Sequence, residues 1–139
     1  MRGNNILYTA CFLDYDSLWA QISHLTKGIY SRVIKNPHVT FVYKPSFVDC
    51  SLIGTKVKVQ VTGYGFNSEN EGLSVKVITD NQKLKLLYDV IDVPHITLTV
   101  SNKGKAVNTR YVHFSSVPVI ELPAIYGVVT KDSQTILRL

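Results

Sequence analysis

Charge is scarce in this sequence. Asp, Glu, Lys and Arg make up 18% of the 139 residues, against roughly 25% in an average soluble domain. No stretch is charge-rich and 45% of the residues are hydrophobic, which excludes a disordered tail and supplies a core. Cysteine is also scarce. Cys11 and Cys50 could pair, but without metal-ligand spacing they read more simply as free thiols in a reducing compartment. No apolar run reaches membrane-spanning length. The polar start, Met1 to Asn5, leads into an apolar stretch that soon meets Asp14 and Asp16, which makes a poor signal peptide. These absences predict one domain over residues 1–139, cytoplasmic, without a membrane partner and monomeric.

The charge that is present leans positive, with a formal net charge of +5. The basic residues are scattered: Lys56 and Lys58, Lys83 and Lys85, Lys103 and Lys105, then Arg110. Such a surplus attracts anionic partners at long range, though it also serves solubility alone.

Hydrophobic patterning predicts an α+β fold in which strands dominate. Residues 6–13 form a short apolar run with β-branched and aromatic content, a central strand. Asp14 to Lys27 suits a helix capped by Asp16 or Ser17, with Leu18, Ile22 and Leu25 on one face and Gly28 at its end. Residues 38–43 form a strand bounded by Pro37 and Pro45. Residues 56–66 alternate, Asn67 to Gly72 is a turn cluster, and 73–79 return as the second arm of a hairpin. A short helix over 82–89, a strand over 95–101 and a polar loop over 101–109 follow. The tail holds two or three strands, with a last turn at Lys131 to Gln134.

One internal echo stands out: Pro37-His38-Val39-Thr40 against Pro94-His95-Ile96-Thr97. In a strand, residues i and i+2 share a face. His38 therefore projects with Thr40, and His95 with Thr97, while Val39, Phe41, Ile96 and Leu98 point the other way into a core. A single His-x-Thr carries little information. From residue frequencies, two copies, each preceded by proline and followed by an apolar residue, arise by chance roughly once in ten thousand such sequences.

If the two strands lie side by side, two imidazoles and two hydroxyls converge. One imidazole can take a proton from an attacking water or ribose hydroxyl, and the other can give one to the leaving oxygen. The hydroxyls can donate to non-bridging phosphate oxygens. This set suffices for a phosphodiester without a metal or other cofactor. His24, off the helical stripe, reads as a solvated residue. His113 reads as a surface or edge residue that could help bind an anion.

Pro37-His38-Val39-Thr40-Phe41 and Pro94-His95-Ile96-Thr97-Leu98 resemble the twin His-x-Thr/Ser motifs of the 2H phosphoesterase superfamily. That group includes LigT-like RNA 2′,3′-cyclic phosphodiesterases, eukaryotic cyclic phosphodiesterases, and phage enzymes that destroy cyclic oligonucleotide defence signals. Tyr8-Thr9-Ala10, Gly63-Tyr64-Gly65 and Ser101 to Asn108 look like the small phosphodiesterase-like domains associated with RNA repair and tRNA ligation. The resemblance implies two antiparallel-sheet lobes related by a pseudo-twofold, with a cleft between them and one motif from each. It also implies catalytic His38, Thr40, His95 and Thr97. A phage-encoded member would act in the host cytoplasm. The chain departs from larger relatives in having one convincing helix, so its specificity elements are short.

Further candidates follow by position. Tyr8 and Tyr43 lie on strands that should border the cleft, where an aromatic can stack on a base or simply be half-buried at a strand edge. Lys44 follows the first motif and can reach a phosphate. Ser101, Lys103 and Lys105, around Gly104, form a loop that can close over a phosphate or ribose, or stay solvated.

The expected function is a metal-independent phosphodiesterase acting on a 2′,3′-cyclic phosphate, a small cyclic nucleotide or an RNA terminus. The alternative is a non-catalytic module that sequesters a nucleotide or RNA end. A zinc site using His38, His95 and a cysteine is a third reading, disfavoured because structural zinc uses closer ligand pairs.

Overall fold

The computed structural model describes residues 5–139, so Met1 to Asn4 of the polar start lie outside it. Eight strands and two helices follow in the order β1 (Ile6–Phe12), α1 (Tyr15–Ile22), β2 (Arg32–Val33), β3 (His38–Tyr43), β4 (Lys56–Phe66), β5 (Asn70–Ile78), α2 (Gln82–Asp89), β6 (His95–Val100), β7 (Ser115–Thr130) and β8 (Thr135–Ile136). Two 3₁₀ turns, Cys50–Leu52 and Ala106–Tyr111, sit in the connections. The result is α+β and strand-dominated.

All strands belong to one antiparallel sheet, where two lobes with separate sheets were expected. Six strands close on themselves in the order β1-β3-β6-β5-β4-β7, and β7 returns to β1. Closure removes most free sheet edges. β7 makes it possible. Its first part pairs with β4 from Ser115 to Ile125, and its last part pairs with β1 from Ile125 to Thr130.

The tail holds two strands, β7 and β8, with the turn at Lys131 to Gln134 between them, as expected. β7 runs through two prolines: Pro118 lies in a bulge, between the Val61–Ile120 and Gly63–Ser116 pairs. Pro123 lies where β7 is paired along one edge only. Neither site needs the missing N–H, so the strand runs through.

Alternation buries Val57, Val59 and Val61 of β4 against Leu73, Val75 and Val77 of β5. Val39, Phe41, Ile96 and Leu98 join the same core, and Leu18 and Ile22 of α1 and Leu84 of α2 pack onto it. Asp14, rather than Asp16 or Ser17, caps α1, its carboxylate accepting from Ser17 N at 3.0 Å.

α1 also stops at Ile22, short of the expected Lys27, and the cause is Glu71. This carboxylate is fully buried. It accepts from Thr26 Oγ1 (2.5 Å), Tyr64 OH (2.5 Å), Thr99 Oγ1 (2.7 Å) and Ile29 N (3.1 Å). The segment after α1 is pulled onto Glu71 instead of continuing the helix. Asn70, Glu71 and Gly72, expected in a turn, are therefore strand residues. The reversal is tighter, made by Asn67 Oδ1 accepting from Glu69 N (2.9 Å) and Asn70 N (2.8 Å).

Candidate active site

β3 and β6 run antiparallel and touch through one ladder pair, Val39 opposite Ile96. Each of these residues follows its motif histidine. Continuing that register sets His38 across from Thr97 and Thr40 across from His95, on the face opposite the buried Val39 and Ile96. The duplicated motif is thus arranged as a local twofold about one residue pair. All four side chains line a single cavity of about 360 Å³.

The two histidines are held alike. Nδ1 of His38 lies 2.6 Å from Asn36 O, and Nδ1 of His95 lies 2.7 Å from Val93 O. A carbonyl only accepts, so each Nδ1 carries the proton and donates it. That leaves each Nε2 as the group free for proton transfer. The intervening prolines help, since each proline carbonyl accepts from a neighbour: Pro37 O from Leu13 N (2.9 Å) and Pro94 O from Val75 N (3.2 Å). The backbone carrying each histidine is therefore pinned.

Their surroundings differ. His38 stacks on Tyr8, with ring centroids 4.8 Å apart and 23° between planes, and meets Phe12 at 5.6 Å. Burial pushes its pKa below the ordinary histidine value; the Asn36 bond opposes this and the nearby His95 adds to it. Burial also lowers His95, opposed by the Val93 bond and reinforced by the Arg110 charge. Burial thus favours the neutral form of both imidazoles.

The threonines differ more. Thr40 Oγ1 makes no hydrogen bond to any described residue, and Ala10, small and fully buried, is its neighbour on β1. Thr97 is bonded to Ala106 O at 3.0 Å and to Thr109 Oγ1 at 2.8 Å. Thr97 Oγ1 is the donor in both contacts, so its one proton is shared between the Ala106 carbonyl and Thr109 Oγ1. Asn70 Nδ2 then donates to Thr109 Oγ1 (3.0 Å) and Lys105 O (2.7 Å). Thr97 keeps accepting capacity towards the cavity, but its proton is committed to the 3₁₀ turn. Gly72 leaves room for this, because a Cβ there would meet Thr109 Cγ2 at 2.4 Å.

Of the outer candidates, Tyr8 and Tyr43 line the cavity. Tyr8 gives one face to His38, and its hydroxyl accepts from Asn36 Nδ2 at 3.3 Å. Tyr43 is 62% exposed. Lys44, Ser101, Lys103 and Lys105 do not line the cavity. Lys44 folds over the Tyr43 ring, 5.5 Å from its centroid. Ser101 and Lys103 border a separate shallow depression. Their loop is tied from beneath, with the Arg32 guanidinium donating to Ser101 O and Gly104 O, so it is a fixed turn rather than a closing flap.

Sequence reasoning passed over Ile34, Asp92, Val107 and Arg110, which also line the cavity. Arg110 was read as one of several scattered bases. Its place fifteen residues beyond the second motif histidine gave no signal without the 3₁₀ turn that folds it back. His24 and His113 are exposed and lie away from the cavity. Cys11 is buried in the core, its thiol pushed up to about 12 by burial, and neither cysteine lines the cavity. Among the described residues, no three His, Cys, Asp or Glu side chains form a metal-holding group. No helix among them is long and apolar enough to cross a membrane. No family model and no curated protein matches the chain.

Proposed function

We propose that this chain is a metal-independent phosphodiesterase of the 2H type that acts on a ribose-linked phosphodiester through His38 and His95. The observation that carries the reading is the paired presentation: two imidazoles, each with Nδ1 fixed to a backbone carbonyl, so that both Nε2 atoms are free to move protons. The local twofold about Val39 and Ile96 supports reading the two motifs as one paired site, within a single closed sheet.

In this mechanism one neutral Nε2 removes a proton from water or a ribose hydroxyl as that oxygen attacks phosphorus. The other, entering protonated, gives its proton to the departing ribose oxygen. The Thr40 hydroxyl, without a hydrogen bond to any described residue, donates to a non-bridging oxygen as charge builds on the phosphoryl group. Thr97 contributes chiefly by holding the wall of the cavity.

A volume of about 360 Å³ lies at the small end for ligand pockets. It suits one nucleotide unit around the reacting phosphate rather than a whole ring of nucleotides. Tyr43 offers a stacking face at the mouth, and Asp92 an acceptor for ribose or base N–H and O–H groups.

The test is turnover in EDTA of 2′,3′-cyclic AMP, cyclic dinucleotides and RNA ending in a 2′,3′-cyclic phosphate. At least one should be opened, and His38→Ala and His95→Ala should each lower kcat by about 10²–10⁴-fold with the fold intact. No turnover of any contradicts catalysis, and full turnover in both variants contradicts the two-histidine mechanism. Nucleotide binding that survives both substitutions, without turnover, marks a sequestering module instead.

A further inference from the structure

The cavity lining is nearly uncharged despite the basic surface. It holds one permanent cation, Arg110, and one carboxylate, Asp92. Arg110 is exposed, as are its neighbours Ala106 and Val107, which places the guanidinium at the rim rather than on the floor beneath the histidines. It forms no ion pair with any described carboxylate. It is nonetheless held in place: its Nη2 donates to Tyr111 OH at 2.9 Å, and its guanidinium lies 4.9 Å from the Tyr111 ring centroid. A guanidinium with charge unspent and orientation already fixed is suited to an incoming anion.

The base of this arm is equally fixed. The Ala106–Tyr111 turn is bonded to β6 and β5 through Thr97, Thr109 and Asn70. Tyr43, with Lys44 over its ring, also lines the cavity. Two lining residues, Arg110 and Tyr43, are thus each paired with a neighbour into an aromatic–cation couple at a cavity sized for one nucleotide, the pairing that single-stranded nucleic acid uses for stacking and backbone contact.

We propose that Arg110 is a second anion site, which takes the phosphodiester next to the reacting one, so that the substrate is an oligonucleotide rather than a single nucleoside phosphate. The inference rests on the phosphodiesterase reading for which phosphate reacts, but its binding arm can be tested without turnover.

Two measurements on wild type and Arg110→Gln are needed. The first compares kcat/KM for a nucleoside 2′,3′-cyclic phosphate and for a dinucleotide ending in the same cyclic phosphate. Wild type should prefer the dinucleotide by about tenfold or more, the usual scale of a charge-assisted bond. Arg110→Gln should erase the preference; with each enzyme compared at its own pH optimum, because the Arg110 charge also acts on His95, the dinucleotide should lose about tenfold more than the mononucleotide. An equal loss on both substrates would put Arg110 on the reacting phosphate and overturn the proposal, as would no loss on either. The second measures calorimetric affinity for the unreactive nucleoside 3′-phosphate and the matching dinucleotide 3′-phosphate. A dinucleotide advantage that Arg110→Gln removes supports the second site even if nothing is turned over, in which case only the catalytic reading fails. No such advantage in wild type rules the site out.

Discussion

His38 and His95 occupy equivalent backbone positions, yet the residues around them divide the labour. The Asn36 and Val93 carbonyls fix both rings, while burial lowers both pKa values. This has a consequence for stability. A histidine whose folded pKa lies below its unfolded value binds more protons when unfolded, so stability is intact above the unfolded pKa, near 6.5, and falls as pH drops below it. Urea midpoints measured at pH 7.5 and pH 5 should therefore fall in wild type and fall less in His38→Gln. An equal drop in both would mean that burial of His38 costs nothing on protonation. The threonines divide as well. Thr40→Val, at a hydroxyl without a partner among the described residues, should cut turnover and leave stability within about 0.5 kcal/mol. Thr97→Val strands Ala106 O and breaks the chain from Asn70, and should cost about 1–3 kcal/mol by denaturation. If the two variants lose stability equally, the hydroxyls are not specialised.

At the level of elements, much was legible because strand alternation is a local signal. The limits of β3, β4 and α2 follow directly from their residues, and β6 ends one residue early. The side-chain faces of both motifs followed from the same two-residue period. The misreadings share one physical cause. Asn70, Glu71 and Gly72 have turn composition, but they serve long-range contacts: Asn70 reaches Lys105 and Thr109, Glu71 reaches Thr26 and Thr99, and Gly72 makes room for Thr109. Partners so distant in sequence leave no periodic trace. The same holds for Arg110, which enters the candidate site through the 3₁₀ turn. Gly72→Ala should push Thr109 from Thr97 and loosen that turn. Its expected signature is faster amide exchange over Ala106 to Tyr111 while β4 stays protected. Unchanged exchange in that turn would show that Gly72 is not what seats it.

The whole molecule is a closed sheet with a thin seam. Between β3 and β6, the strands that carry the histidines, one ladder pair bridges the sheet, whereas β4 pairs with β5 and β7 over most of its length. Closure could not be read from the sequence, since it depends on β7 passing through two prolines to reach β1. Glu71 ties the crossing after α1 to β4, β5 and β6, so Glu71→Ala, which leaves four donors without their acceptor, should cost about 3 kcal/mol or more in urea denaturation. A cost below about 1 kcal/mol would mean water replaces the carboxylate. The central claim is that this frame holds two histidines for opposite proton transfers, and the pH dependence of kcat/KM in EDTA tests it most directly. Because burial lowers both histidines, the profile should be a bell whose limbs both lie below the range set by free histidine, and substitution of either residue should abolish one limb along with most of the rate. A flat profile from pH 5 to 9 would contradict the two-histidine mechanism.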